Sequence, residues 1–552
     1  MIRKPLRPLA RILKARARGQ NPDVIERHNL RRRTADARDA LRVRAEGRLL
    51  VIGIAFFCAF SLVGARMGLL AASDPIVTRN TGGGASLVAT RADITDRYGR
   101  ILATNMETHS LYVHPQQLIR PVRAAKALTG IFPDLDEARL IAKFTGKQRF
   151  SWVKRNISPE QKQAVHDIGE PGLVFGPREM RLYPNGAVAA HVLGGSGYGR
   201  EDVNAAEIIG VAGLEKALDA QLRDPARANA PVTLSLDLTL QAATERVLAG
   251  GMTLLNAKGA AAILMDCYSG EVLALASLPD FDPNKRPAIG AGVKQEDSPL
   301  FNRAVQGVYE LGSVFKSFAI AQALDKGLVA PSTPVDIRGP LKWGKHRIRD
   351  FHNYGKELSV AKVLIKSSNI GTARLAQMIG IADQKAFLSN LGMTDRLPLE
   401  VVEATQGRPK LPPNWSELST MTISYGHGMS VTPMHLASAY GTLCNGGHQI
   451  TPTLLRQDGP RLGPRVLGKR AAQQTNAMMR LVVSHKEGTA SMAEVPGYAV
   501  AGKTGTADKY DEVNGGYHED RVIATFASVF PAYDPRYTLV VMLDEPVENS
   551  GD

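Results

Sequence analysis

Cysteine is scarce: the 552 residues hold three, Cys58, Cys267 and Cys444. Three are too few for a disulfide framework, and none stands at a metal-ligand spacing. Cys267 and Cys444 read as two buried free thiols or as one bonded pair. No H-E-x-x-H, zinc pattern or phosphate loop occurs, so the sequence calls for no metal and no cofactor. The glycine cluster Gly194–Gly199 misses the dinucleotide spacing and reads as a loop. Negative charge is not in excess either: 68 Lys and Arg face 53 Asp and Glu, a net charge of +15. Long apolar runs are rare, with one exception near the N-terminus. What is present is the composition of a globular protein, 44% hydrophobic. The length suffices for two or three domains, each with its own core.

The positive charge is uneven. Residues 1–48 carry 15 Lys and Arg against 5 Asp and Glu, leaving about +5 for the rest. Such a tail, with Arg31-Arg32-Arg33, invites a nucleic-acid reading, but the next segment argues for a membrane and against nucleic acid. Leu49–Ala65 is 17 residues without a charge, and Met67–Ala72 extends it beyond Arg66. With Arg66 snorkelling, residues 49–72 cross a bilayer as one helix at about 1.5 Å per residue. The arginines before the span keep residues 1–48 in the cytoplasm and send the remainder out. A cleaved signal peptide is the rival reading. Its apolar region would be shorter, and Leu70-Ala71-Ala72 puts leucine where cleavage prefers a small residue. Gly64 and Gly68 either form a G-x-x-x-G helix-packing pair or are ordinary membrane glycines.

Three short motifs follow in order: Ser313-Val314-Phe315-Lys316, Ser367-Ser368-Asn369 and Lys503-Thr504-Gly505-Thr506. Together they supply the parts of a self-acylating serine enzyme. A serine hydroxyl needs a base to take its proton. If Ser313 opens a helix, Lys316 lies one turn on, on the same face. A lysine serves as base only when burial or a nearby cation lowers its pKa, and Lys503 is the candidate cation. Ser367 is placed to relay a proton between the two lysines. Asn369 suits a substrate amide, and Thr504 and Thr506 suit a carboxylate. Gly505 lets a substrate backbone come close. The N–H groups of Ser313 and Thr506 are candidate oxyanion donors. Ser151–Lys154 and Ser359–Lys362 share the S-x-x-K spacing, but Ser151 reads as surface and Ser359 as a helix N-cap. Only Ser313 follows a glycine and precedes an apolar helical pattern, where a helix dipole favours developing negative charge.

S-x-x-K, S-x-N and K-T-G in this order resemble the penicillin-recognising enzymes. Arg91-Ala92-Asp93-Ile94-Thr95-Asp96-Arg97-Tyr98-Gly99 is similar to a signature of class B penicillin-binding proteins, with Ala92 in place of glycine. Arg181-Leu182-Tyr183-Pro184, His191-Val192-Leu193-Gly194 and Gly213-Leu214-Glu215 resemble later motifs of the same N-terminal module. Tyr309-Glu310-Leu311-Gly312 is similar to the stretch before the nucleophile, with Leu311 for proline. Tyr425-Gly426-His427-Gly428, Thr432-Pro433 and Glu487-Gly488-Thr489-Ala490 also fit. Ser367-Ser368-Asn369-Ile370-Gly371 resembles the division-specific (FtsI) group more than the elongation group.

The resemblance implies a peptidoglycan D,D-transpeptidase. Ser313 would attack the D-Ala–D-Ala bond of a stem peptide, and a neighbouring stem amine would take the acyl group. Lys316 is the first choice of base, with Ser367 and Lys503 passing the proton to the leaving amine. β-Lactams would acylate the same serine. It further implies an FtsW-type glycan polymerase and other division proteins as partners, and a location in the bacterial inner membrane at the septum. Transfer to water, as in a carboxypeptidase or β-lactamase, stays open, as do a β-lactam sensor and a non-catalytic division scaffold.

The expected fold is α+β. The exported part divides near residue 230, with a non-catalytic pedestal or dimerisation-type domain (73–229) before a transpeptidase domain (230–552). Helix 234–248 is capped by Ser235 or Asp237. Strands are predicted over 260–265, 271–277, 498–507, 522–530 and 536–544. Strands from both ends with helices between them predict an antiparallel sheet flanked by helices. Lys503 then sits on an edge strand facing the helix that begins near Ser313.

Overall fold

In the computed structural model, residues 7–72, 91–201, 206–227, 230–290, 292–511 and 515–547 are described. The chain separates into two units, up to Leu87 and from Val88 on. The first holds α1 (Arg7–Ala17) and α2 (Asp23–Ala72), a helix of 50 residues. Within α2, Glu46–Gly64 is long and apolar enough to cross a membrane. Its residues are exposed throughout, as those of a lipid-facing helix are. The snorkelling Arg66 and the partner glycine Gly68 fall where side chains lie outside the described residues.

The second unit begins with a twisted sheet. β1 (Ile94–Thr95), β2 (Ile101–Val113), β3 (Ser151–Ile157) and β4 (Leu173–Leu182) gather around the long β2. β5 (Gly195–Glu201) and β6 (Ala206–Ala212) form a separate hairpin. This corrects the loop expected at Gly194–Gly199. The segment pairs because its glycines leave room for the partner strand: a Cβ on Gly197 would stand 3.2 Å from Val211 Cγ1. β7 (Val232–Thr233) runs parallel to β1. A small core of Leu111, Leu128, Phe132, Phe144 and Ile157 closes the outer end of this region.

The larger sheet of the remaining chain is built from both of its ends. β8 (Gly259–Asp266) and β9 (Val272–Leu278) form a hairpin. Four short strands follow as two small pairs: β10 (Pro334–Asp336) with β13 (Glu357–Ser359), and β11 (Leu341–Trp343) with β12 (His346–Ile348). β14 (Ala501–Tyr510), β15 (Tyr517–Phe530) and β16 (Tyr537–Asp544) complete the order β14-β15-β16-β8-β9, antiparallel throughout. β8 is apolar on both faces because both are covered. Ala260 and Ala262 pack with Leu248 of helix Leu238–Leu254, while Ala261, Ile263 and Met265 join the main core with the fully buried helix Pro433–Cys444.

Helix Leu238–Leu254 starts later than its apolar pattern suggests. Leu234 bridges to Leu455 and the Ser235 N–H donates to Leu454 O, so that stretch is already committed to extended pairing. Asp237 is the cap, accepting from the N–H groups of Thr239 and Leu240. Cys267 and Cys444 are buried and unbonded.

Candidate active site

Ser313 does not sit in an α-helix. It lies in a 3₁₀ turn, Gly312–Phe315, that feeds helix Lys316–Asp325. The tighter turn keeps Ser313 half-buried at the helix mouth while Val314, Phe315 and Lys316 point inward. Gly312 turns left-handed at φ +63, and a Cβ there would collide with Thr506 O of β14. A Cβ on Gly505 would land on Leu311 O. The two glycines let the Ser313 turn lie against the K-T-G strand backbone to backbone. Behind the turn, the Tyr440 hydroxyl donates to Val314 O at 2.9 Å.

Lys316 and Lys503 are both fully buried. Burial lowers the Lys316 pKa, and the charge of Lys503 lowers it further, against a raising effect of Asp350. Burial alone brings Lys503 down to about 7. Lys316 Nζ donates to Ser367 O at 2.6 Å and to Ser367 Oγ at 3.0 Å. A neutral amine has two N–H groups and one lone pair. With both N–H groups spent on Ser367, the lone pair is left over to act as a base. Ser367 holds a left-handed backbone, φ +59, which turns its carbonyl and hydroxyl to the same nitrogen. Strain of that kind in a residue other than glycine persists only where its surroundings enforce it.

Asp350, which sequence reasoning missed, holds the residues just after Ser367. Its carboxylate accepts from Ser368 Oγ at 2.7 Å and from the Ile370 N–H at 2.9 Å. Ser368 in turn caps helix Asn369–Ile379 through the Gly371 N–H. Asn369 Nδ2 donates to Arg349 O at 3.0 Å, which fixes its amide at the helix start. On the other wall, Lys503 Nζ donates to Thr504 O at 2.9 Å, and Thr504 Oγ1 donates to Thr489 Oγ1 at 2.9 Å. Thr506 is exposed on β14. Lys366 pairs with Glu487 at 2.8 Å, tying the Ser367 loop to the loop that carries Thr489. The three motifs therefore meet at one place. Ser151 lies on edge strand β3 with Lys154 paired to Asp134, and Ser359 caps its helix at the Lys362 N–H.

Known proteins resemble this chain along most of its length. The profile of the penicillin binding protein transpeptidase domain matches residues 260–552, and that of the penicillin-binding protein dimerisation domain matches 86–226. A probable peptidoglycan D,D-transpeptidase FtsI of Caulobacter vibrioides is 34% identical, over 93% of this chain and 86% of that one. The chain belongs to the class B penicillin-binding proteins. The peptidoglycan D,D-transpeptidase FtsI of Escherichia coli is 29% identical over 83% of the chain and 79% of its own. The crystal structure of penicillin binding protein 2X from Streptococcus thermophilus superposes with a TM-score of 0.68 at 22% identity, covering 83% of this chain and 76% of that one.

In this penicillin-binding protein the N-terminal motifs converge on one carboxylate. Glu215 is fully buried and accepts from Arg91 Nε and Arg181 Nε, each at 2.7 Å. Arg91 Nη1 also pairs with Asp219 at 2.7 Å. Charges buried this completely stay because each has a matched partner. Ala92, the departure from the family glycine, is buried and donates its N–H to Leu222 O.

Proposed function

We propose that this chain is the septal peptidoglycan D,D-transpeptidase of its cell, cross-linking stem peptides through an acyl-enzyme on Ser313. The observation that carries the site assignment is the pair of buried, pKa-lowered lysines flanking the Ser313 turn. Lys316, with its N–H groups held by Ser367, takes the Ser313 proton as Oγ attacks the penultimate D-Ala carbonyl. The Ser313 and Thr506 N–H groups receive the oxyanion. Ser367 and Lys503 return the proton to the departing D-alanine amine. Thr504 and Thr506 hold the terminal carboxylate, Asn369 holds the stem amide, and Gly505 gives the peptide access to the strand. β-Lactams present the same carbonyl and carboxylate and acylate Ser313.

The 34% identity to a protein named FtsI supports the division role, as does the Ser367-Ser368-Asn369 form of the second motif. The apolar helix and the arginines before it support a single-pass anchor, with residues 1–48 in the cytoplasm, 49–72 in the bilayer and the rest outside. Residues 73–229 act as a pedestal for an FtsW-type glycan polymerase and other division proteins, and residues 230–552 carry the chemistry.

The test is to incubate the full-length protein in detergent with a fluorescent penicillin and locate the adduct by peptide mass spectrometry. A lasting adduct on Ser313 is expected, lost in Ser313→Ala and kept in Ser151→Ala and Ser359→Ala. Absence of any adduct on the folded protein rejects the assignment, and rapid turnover of the drug turns it toward a β-lactamase.

A further inference from the structure

Transfer to an amine needs a second substrate site beside the acyl-enzyme, and the motif residues form only the first. A cleft of about 1000 Å³ opens next to them. It is lined on one side by Tyr309 and Glu310, four and three residues before Ser313, and on another by β14 from Asp508, two residues after Thr506. Leu411 and Gly428 close a further wall.

Glu310 stands in the wall of this cleft, three residues before Ser313 in the chain. Its side chain is only 11% exposed. The carboxylate accepts from the Gly428 N–H at 2.9 Å and from the Tyr517 hydroxyl at 3.0 and 3.1 Å, and His427 Nδ1 lies 3.1 Å away. Elsewhere in the lining, Glu545 is matched by Lys509 at 2.7 Å, and Glu296 lies within 4.0 Å of both Lys258 and Lys509. Among the described residues, no lysine or arginine lies in ion-pair range of Glu310. A nearly buried carboxylate, backed by a backbone N–H, a phenol hydroxyl and an imidazole nitrogen and lacking a permanent cation, is a fitted receptor for a cation that arrives from outside.

We propose that this cleft receives the acceptor stem peptide and that Glu310 binds its side-chain ammonium. This rests on the transpeptidase reading of Ser313. The bound ammonium gives one proton to water. The free amine then forms the new C–N bond as the Ser313 Oγ–C bond breaks, and a second amine proton returns to Oγ. Glu310 thereby selects a cationic acceptor over water without entering the acylation step.

The test uses full-length protein in detergent, a D-alanyl thioester donor, and Nα-acetyl-lysine amide as acceptor, whose only ionisable group is its ammonium. Products of transfer and of hydrolysis are counted by mass spectrometry. Glu310→Gln keeps an acceptor oxygen for Gly428 but removes the charge. It is expected to lower the amine-to-water ratio about tenfold or more, the usual worth of a hydrogen bond to a charged group. Penicillin acylation and transfer to methanol, which is uncharged, are expected to stay at the wild-type rate. An unchanged amine-to-water ratio overturns the proposal. So does an equal loss of methanol transfer, or a parallel loss of acylation, since either assigns Glu310 to the shape of the turn. Failure of the wild type to be acylated at all rejects the underlying transpeptidase reading instead.

Discussion

Replacing Lys503 by methionine should stabilise the protein in acid while removing its activity. Lysine in water loses its proton near 10.5; in this fold Lys503 does so at about 7. The unfolded chain therefore binds that proton more tightly. Between about pH 7 and 10.5 the unfolded state carries more protons, so stability rises with pH across that window. At about 1.4 kcal/mol per pH unit, the buried amine costs the fold about 5 kcal/mol below pH 7 and nothing above 10.5. Methionine fills the same space without a charge. It forfeits the hydrogen bond to Thr504 O, about 1 kcal/mol at any pH. Only the charge effect varies with pH, and between pH 9 and pH 6 it amounts to about 3 kcal/mol. Loss of the Lys503 charge also eases protonation of Lys316, which adds in the same direction. Urea unfolding of both proteins, followed by tryptophan fluorescence at the two pH values, reads this difference. The variant should gain on the wild type by about 3 kcal/mol on going to pH 6. A gap that is the same at both pH values would refute the buried, proton-poor Lys503 on which the acylation chemistry depends.

Gly505→Ala should abolish penicillin acylation, because its Cβ would occupy the position of Leu311 O. The variant should unfold about 1–3 kcal/mol more easily in the same urea assay, the usual cost of overpacking. Asp350 raises the Lys316 pKa, so Asp350→Asn should move the acid limb of the acylation pH profile to lower pH. It should also lower the plateau rate, since Ser368 and Ile370 lose a charged acceptor. A stopped-flow pH series with a chromogenic β-lactam checks both effects.

Much of this site can be read from the chain because its parts are local. Ser313 and Lys316 are three residues apart, and the K-T-G strand announces itself by alternating small and polar residues. The five catalytic strands fall within a few residues of their predicted bounds, since apolar runs bounded by turn residues mark buried strands. The capping roles of Asp237 and Ser359 were legible for the same reason. Asp350 was not, because its link to Ser368 and Ile370 spans 18 and 20 residues and depends on how the β11–β12 hairpin folds back. The left-handed turn at Ser367 was equally hidden, since serine carries no signal for it. Glu310 was visible as part of a motif, but its partners His427 and Tyr517 lie 117 and 207 residues away. The glycine-rich β5 misled because its glycines read as a loop, whereas in the fold they leave room for Val211 of β6.

The order β14-β15-β16-β8-β9 has a consequence for how the protein is made. The hairpin β8–β9 is synthesised with one edge of β8 unpaired, and the strand that covers that edge is β16, some 270 residues later. Until Tyr537–Asp544 has been made, the apolar row Ala260–Met265 has no sheet neighbour on that side and stands as a template for wrong pairing. Closure of a loop this long is slow and comes last. The nascent domain is therefore a natural client for a holdase chaperone. A nonsense codon between β15 and β16 would release an aggregating chain rather than a partly active enzyme, even though every motif residue would already be in place.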